Sequence, residues 1–137
     1  MSQNNNSTLL KTTLIIYAIV CLVYGIGFVL VPQVLVDLSG GEAAASAWLR
    51  WPGAVLIALG IGAIMVNRNP THQDPFVVTV ALGTLLTGLT LLYALFFERA
   101  GEFWFTAVPM IINLVISALL WWGRTKSTNI LNQAKEG

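Results

Sequence analysis

The segment WLRW, residues 48–51, places a guanidinium group between two indole rings at the start of a long apolar run. The guanidinium of Arg50 can form a bidentate contact with a carboxylate or a phosphate, which a lysine ammonium group cannot reproduce. The same residues also suit a simpler role, because tryptophan and arginine at a membrane interface anchor a helix without any ligand. From the residue types alone, both interpretations of Arg50 are open.

Other polar and aromatic residues are expected near Arg50 at the same membrane interface. The predicted set of ligand- or lipid-contacting residues is Arg50, Trp48, Trp51, Glu98, Glu102, Trp104, Tyr93 and, deeper in the membrane, Asn113. In one interpretation the interfacial members form an aromatic belt with flexible charged side chains. In the other they form a shallow cup, open to the outer leaflet, in which Arg50 meets an acidic head group or a nearby carboxylate.

Side chains that could support catalysis are missing from the apolar runs. No Asp, Glu, Lys or His lies inside any run, and the one histidine, His72, has no neighbours at metal-ligand spacing. The single cysteine, Cys21, excludes an intrachain disulfide. Without an acid/base pair or a metal motif, we expect no catalytic residue, no metal and no cofactor.

Two polar features do lie inside the apolar runs. In the first run Tyr17, Cys21, Tyr24 and Phe28 recur on one helical face, which is more typical of a packed core than of a cofactor site. In the last run the Asn113 carboxamide lies near mid-membrane, where it needs hydrogen-bond partners.

The elements that position these residues are membrane-spanning helices. The chain has 137 residues, of which 56% are hydrophobic and 9% charged, with a mean hydropathy of +0.76. Runs long enough to cross a hydrocarbon core, which takes about 20 residues, lie at 12–31, 48–66, 76–97 and 103–122. The expected fold is an all-α bundle of four transmembrane helices in a single domain, residues 1–137. The first run is too long for a signal peptide, and the net charge of +1 disfavours nucleic-acid binding.

The distribution of basic residues predicts the orientation of the bundle. Lys11, Arg68, Arg124, Lys126 and Lys135 flank one side of the membrane, whereas Arg50 and Arg99 flank the other, together with four acids. The positive-inside rule therefore places both termini in the cytoplasm.

Small residues at every fourth position predict how the helices meet, since they allow close backbone approach in lipid. The predicted packing residues are Ala54, Ala58 and Gly62 on the second span, Gly83 and Thr87 on the third, and Pro109 and Ser117 on the fourth. The three stripes are expected to face one another. The short connection at 98–102 makes the third and fourth spans antiparallel neighbours.

The helix ends carry local signals as well. Asp74 is predicted as an N-cap with Pro75 at the first helical position. The sequence Ser39-Gly40-Gly41-Glu42 fits a capping box, which predicts that the second helix begins near Gly40 and kinks near Pro52. The polar termini, residues 1–8 and 127–137, are expected to fray.

The block LRWPGAVLIALGIGAIMVNR, an arginine followed by a glycine-rich second span, resembles a family of small bacterial four-helix membrane proteins that are loosely DoxX-like in architecture. The order of spans, the proline that closes the first helix at Pro32 and the short third connection agree with the same pattern. Arg50, Gly53 and Gly60 match by position, whereas Pro52 departs from the pattern and leaves the geometry of the second helix open. The resemblance implies the fold and lends no activity.

The functional expectation is a non-catalytic protein of the bacterial inner membrane. The preferred function is an accessory or scaffold subunit that packs against lipid, another membrane protein or a second copy through its small-residue faces. The alternative is a binder or carrier of a small amphiphile or lipid in a cavity between the helices, with Arg50, the tryptophans and Asn113 as the contacting residues.

Overall fold

A computed structural model describes residues 3–40, 49–98 and 102–131, and within these ranges every regular element is helical. The helices are α1 (Gln3–Leu30), α2 (Pro32–Leu38), α3 (Arg50–Arg68), α4 (Asp74–Tyr93) and α5 (Phe103–Leu131), and a π-helical turn, Ala94–Glu98, extends α4. Four of them are long and apolar enough to cross a membrane, namely α1, α3, α4 with its extension, and α5. The predicted all-α bundle of four membrane-spanning helices is confirmed.

The first connection begins with a short helix at one end of the bundle. Pro32 starts α2 directly after α1 ends, in a position where its missing N–H is not needed. Ser39 ends α2: its hydroxyl donates to the Val36 carbonyl, and Gly40 follows with a φ of 68°, a left-handed conformation that glycine adopts without strain. A helix that begins at Gly40 itself is excluded by this conformation. The rest of the predicted capping box, Gly41 and Glu42, lies outside the described residues.

The second membrane-spanning helix, α3, begins at Arg50. Pro52 lies in its first turn, where a proline removes no intrahelical hydrogen bond, so the helix continues from there to Arg68. Trp48 and the rest of 41–48 lie outside the described part of the chain.

Asp74 is the first residue of α4, and Gln73 is the N-cap, without a side-chain cap. The predicted cap at Asp74 is wrong because its carboxylate has another partner. Arg124 on α5 donates from Nε to Oδ1 at 2.7 Å and from Nη2 to Oδ2 at 2.8 Å, and the guanidinium carbon lies 5.5 Å from the Trp121 ring centre. This bidentate pair joins α4 to α5 at what we call the inner end of the bundle, which the charge distribution predicts to be cytoplasmic.

The predicted fraying of the termini is also wrong where the structure describes them. Helix α1 already begins at Gln3, and α5 continues to Leu131, where Ser127 and Leu131 are buried. The N–H of His72, whose φ of 60° is unusual for a residue with a side chain, donates to the Leu131 carbonyl at 2.9 Å. The end of α5 therefore covers the inner connection.

The helices associate as two closely packed pairs. In the first pair, α1 contacts α3 where a Cβ atom placed on Gly53 would lie 2.9 Å from the Gly25 carbonyl oxygen, and Gly60 approaches the Ala18 carbonyl. In the second pair, α4 contacts α5: the Ser117 hydroxyl donates to the Ala81 carbonyl at 2.8 Å. The pairs join where α1 meets α5, with Gly123 against the backbone of Leu10.

The structure changes the predicted arrangement of small-residue stripes. Helix α3 packs against α1, and its backbone barely approaches that of α4. The Phe76 ring of α4 does lie over Gly62 of α3. Ala54 and Ala58 are exposed, and a Cβ atom on Gly83 would meet nothing within 4 Å. The prediction that the stripes of the second, third and fourth spans all face one another is therefore wrong, although Ser117 does join α4 to α5.

The orientation can be tested with single cysteines in a Cys21→Ser background. If the termini are cytoplasmic, an impermeant maleimide added to intact cells should label Asp37→Cys, on the exposed surface of α2, and leave Asn69→Cys and Thr128→Cys unlabelled. All three should react after the cells are permeabilised. Labelling of Asn69→Cys but not of Asp37→Cys in intact cells would reverse the orientation.

Candidate binding site between the helices

A cavity of about 490 Å³ lies among α1, α3, α4 and α5. This volume falls within the range of about 300–1,000 Å³ that is typical of small-molecule sites. Most of its lining is apolar, and no Asp, Glu, Lys, Arg or His is among the lining residues. The polar residues that line it are Tyr17, Cys21, Tyr24, Thr79, Thr84, Thr87, Thr106 and Asn113.

One wall of the cavity is the aromatic face of α1. Tyr17, Cys21, Tyr24 and Phe28, whose spacing predicted a common face, all line the cavity. Tyr17 and Cys21 are buried, and the Tyr24 and Phe28 rings meet edge to face with their centres 6.1 Å apart. Tyr17 and Cys21 thus belong to the packed core, as expected for this face, and the whole face also forms a wall of the cavity.

The opposite wall is a threonine-rich face of α4. The hydroxyl groups of Thr79, Thr84 and Thr87 donate to the carbonyl groups of Pro75, Val80 and Gly83 at 2.8, 2.9 and 2.8 Å, respectively. These bonds fix the side chains against their own helix, as is usual for threonine within helices. Gly83, between the threonines, leaves open space beside the cavity.

Helix α5 supplies the third wall, around a proline in its second turn. Pro109 has no N–H, so it cannot donate to the carbonyl of Phe105, one turn earlier. The Asn113 side chain turns back toward this site, and its Nδ2 donates to the Pro109 carbonyl at 2.8 Å. Phe105, Pro109 and Asn113 all line the cavity.

The cavity faces the lipid through the gap between α3 and α4. Helix α3 contributes Leu56 and Leu59 to the lining, and the backbones of the two helices barely approach each other. On the α4 side Thr79, Gly83 and Thr87 line the cavity and are classed as exposed. The cavity is therefore open between α3 and α4.

The predicted interfacial residues lie elsewhere. Arg50, Trp51, Tyr93, Glu102 and Trp104 are exposed, Trp51 to 64%, and none of them lines the cavity. In the part of the chain that the structure describes, Arg50 forms no ion pair, and the Glu102 N–H donates to the Ser39 carbonyl at 2.8 Å.

The aromatic members of this set pack with neighbours on their own chain segment. Tyr93 stacks on Phe97 at 4.9 Å, and Trp104 meets the edge of Phe105 at 5.6 Å. Trp48 and the side chain of Glu98 lie outside the part of the chain that the structure describes. Of the predicted ligand-contacting residues that are described, Asn113 alone lines the cavity.

Three residues predicted for helix packing belong to the cavity instead. Gly83, Thr87 and Pro109 line it, although their spacing indicated a tight interface. Thr84 and Tyr24 were not singled out as site residues. One sequence signal could have identified them. Two apolar helices each carry polar side chains that repeat on one face, and such faces either pack together or enclose a cavity.

Comparison with known proteins adds no relative: no protein-family model, no curated protein and no solved structure matches this chain.

Proposed function

We propose that this protein binds a small lipid-soluble molecule in the cavity between its helices, as a binding protein or carrier of the bacterial inner membrane. The single observation that supports the proposal most is a cavity of about 490 Å³ with a mostly apolar lining between helices that are long and apolar enough to cross a membrane. Small-molecule sites commonly combine such a lining with a few polar groups that orient the ligand. Here those groups are the threonines of α4 and Asn113 of α5.

The accessory-subunit function stays a prediction. Its strongest support from the sequence was a set of small-residue faces available for a partner, and four of those residues, Ala54, Ala58, Gly83 and Thr87, are exposed. Exposed apolar and small side chains are what any helix presents to lipid, however, so they favour a protein partner no more than a lipid surface. The cavity is the more specific feature.

The test is to fill the cavity opening without disturbing the helix contacts. In Gly83→Leu the new side chain enters open space beside the cavity, so the fold should be kept while the bound molecule is excluded. After extraction in mild detergent, native mass spectrometry of the wild-type protein should show a population with a small added mass. That population should fall at least about tenfold in Gly83→Leu, which corresponds to a loss of about 1.4 kcal/mol of binding free energy.

The matched control is Ala58→Leu, which adds a similar side chain on the exposed face of α3 and does not line the cavity. It should retain the bound mass. The free energy of unfolding of both variants should lie within about 0.5 kcal/mol of the wild-type value, as is usual for surface substitutions. An added mass that is equally abundant in both variants would contradict the proposal.

A further inference from the structure

The threonine hydroxyls that line the α4 wall of the cavity offer acceptors to a ligand rather than donors. A threonine hydroxyl has one hydrogen, and those of Thr79, Thr84 and Thr87 are already donated to main-chain carbonyl groups of α4. What each hydroxyl still offers to the cavity is its oxygen atom as an acceptor.

The α5 wall adds further acceptors. One of the two Nδ2 hydrogens of Asn113 binds the Pro109 carbonyl, which leaves the other as a donor, and no described residue donates a hydrogen bond to Oδ1 of Asn113. The Phe105 carbonyl lacks its usual intrahelical donor because residue 109 is a proline. A ligand hydroxyl can therefore donate to Oδ1 and also accept from Nδ2, whereas an ether can only accept, and an acceptor among apolar side chains is costly to leave without a partner.

Charge narrows the ligand class further. No lining residue carries a charge that could pair with an ionised ligand, and burying an unpaired carboxylate or phosphate is strongly unfavourable. The apolar remainder of the cavity, including Phe28, Leu56 and Leu59, suits a hydrocarbon body.

We propose that the ligand is an uncharged lipid-soluble molecule whose polar end donates a hydrogen bond, through a hydroxyl or an amide N–H, to Oδ1 of Asn113. The inference rests on the proposed function and adds the chemical class of its ligand. The apolar body lies against α1 and α3, and the polar end against α5. A molecule of the same shape that can only accept a hydrogen bond binds less tightly.

The experiment uses the full chain in nanodiscs of saturated phosphatidylcholine and a diazirine-bearing fatty alcohol as the photoreactive probe. Saturable labelling of peptides from α4 and α5 is measured in competition with decanol, with decyl methyl ether and with decanoate. Decanol should compete about fivefold better than the ether, which corresponds to a net hydrogen-bond free energy of about 1 kcal/mol. Decanoate, which is ionised, should compete least.

The decisive variant is Asn113→Leu, which keeps the number and branching of the side-chain heavy atoms and removes the acceptor together with the Nδ2 donor. The preference for the alcohol over the ether should fall to about one while saturable labelling persists. The matched control, Asn129→Leu, makes the same change at an exposed position of α5 and should keep the preference. If Asn113→Leu fails to fold, the comparison of alcohol with ether on the wild-type chain still tests whether the ligand must donate a hydrogen bond.

The outcomes separate the two proposals. Labelling that no competitor reduces would mean that the cavity binds none of these molecules, and both proposals would fall. Saturable labelling with equal competition by alcohol and ether, or a preference unchanged in Asn113→Leu, would overturn the donor requirement and leave the binding function standing. Strongest competition by decanoate would overturn the uncharged class of ligand.

Discussion

Gly53→Val should strongly destabilise the protein, because it forces apart a close approach between α1 and α3. A Cβ atom at Gly53 would lie 2.8 Å from the Phe28 Cβ and 2.9 Å from the Gly25 carbonyl oxygen, so backbone must move to make room. Overpacking of this kind typically costs about 1–3 kcal/mol. We expect a value of about 3 kcal/mol, because the obstructing atoms belong largely to backbone and Cβ.

The measurement is the free energy of unfolding in mixed micelles, titrated with a denaturing detergent. Gly83→Val is the matched control, since its Cβ atom meets nothing within 4 Å. It should remain within about 0.5 kcal/mol of the wild type. A loss at Gly83 that equals the loss at Gly53 would mean that α4 packs closely through this glycine, contrary to the described contacts.

Leu131→Ala should give the second large loss, of about 2–4 kcal/mol, because it removes a completely enclosed side chain. Leu131 is 0% exposed, and it lies near the end of a chain whose last residues are mostly polar. Its carbonyl group also receives the His72 N–H at 2.9 Å. Loosening this helix end should therefore also release the inner connection between α3 and α4.

Two readouts check this expectation. The free energy of unfolding should fall in Leu131→Ala but change little in Leu86→Ala, which truncates a leucine that is 62% exposed. Amide hydrogen exchange at His72 should become faster in Leu131→Ala only. Equal stability of the two variants would show that the end of α5 contributes nothing to the fold.

Much of the fold could be predicted from hydropathy, because each span needs enough apolar residues to satisfy its backbone within lipid. Which helices pack against each other could not be predicted in this way. Small residues four apart indicate that a face can be approached closely, yet they do not say which helix approaches it. Gly53 and Gly83 have the same side chain, but one contacts α1 and the other adjoins a cavity.

Interactions between distant residues explain the remaining differences. Asp74 has the residue type and position of an N-cap, but Arg124, fifty positions later, provides a stronger bidentate partner. Leu131 lies beside Ile130 in an otherwise mostly polar tail, and its burial depends on neighbours that only the folded chain supplies. Asn113 was correctly expected to need partners, and one of them is the carbonyl group of its own helix at Pro109.

The division of the bundle into two helix pairs has a consequence for cooperativity. Each pair has its own close contacts, whereas between the pairs the described close approach of Gly123 to Leu10 lies at the inner end. At the other end the Glu102 N–H donates to the Ser39 carbonyl at 2.8 Å, so the α1–α3 unit and the α4–α5 unit are joined at both ends, but less extensively than the helices within each unit. A molecule held in the cavity would contact both the α1–α3 unit and the α4–α5 unit. Its binding free energy would then couple the two units, so that the loaded protein melts in one sharp transition and the empty one in a broader transition.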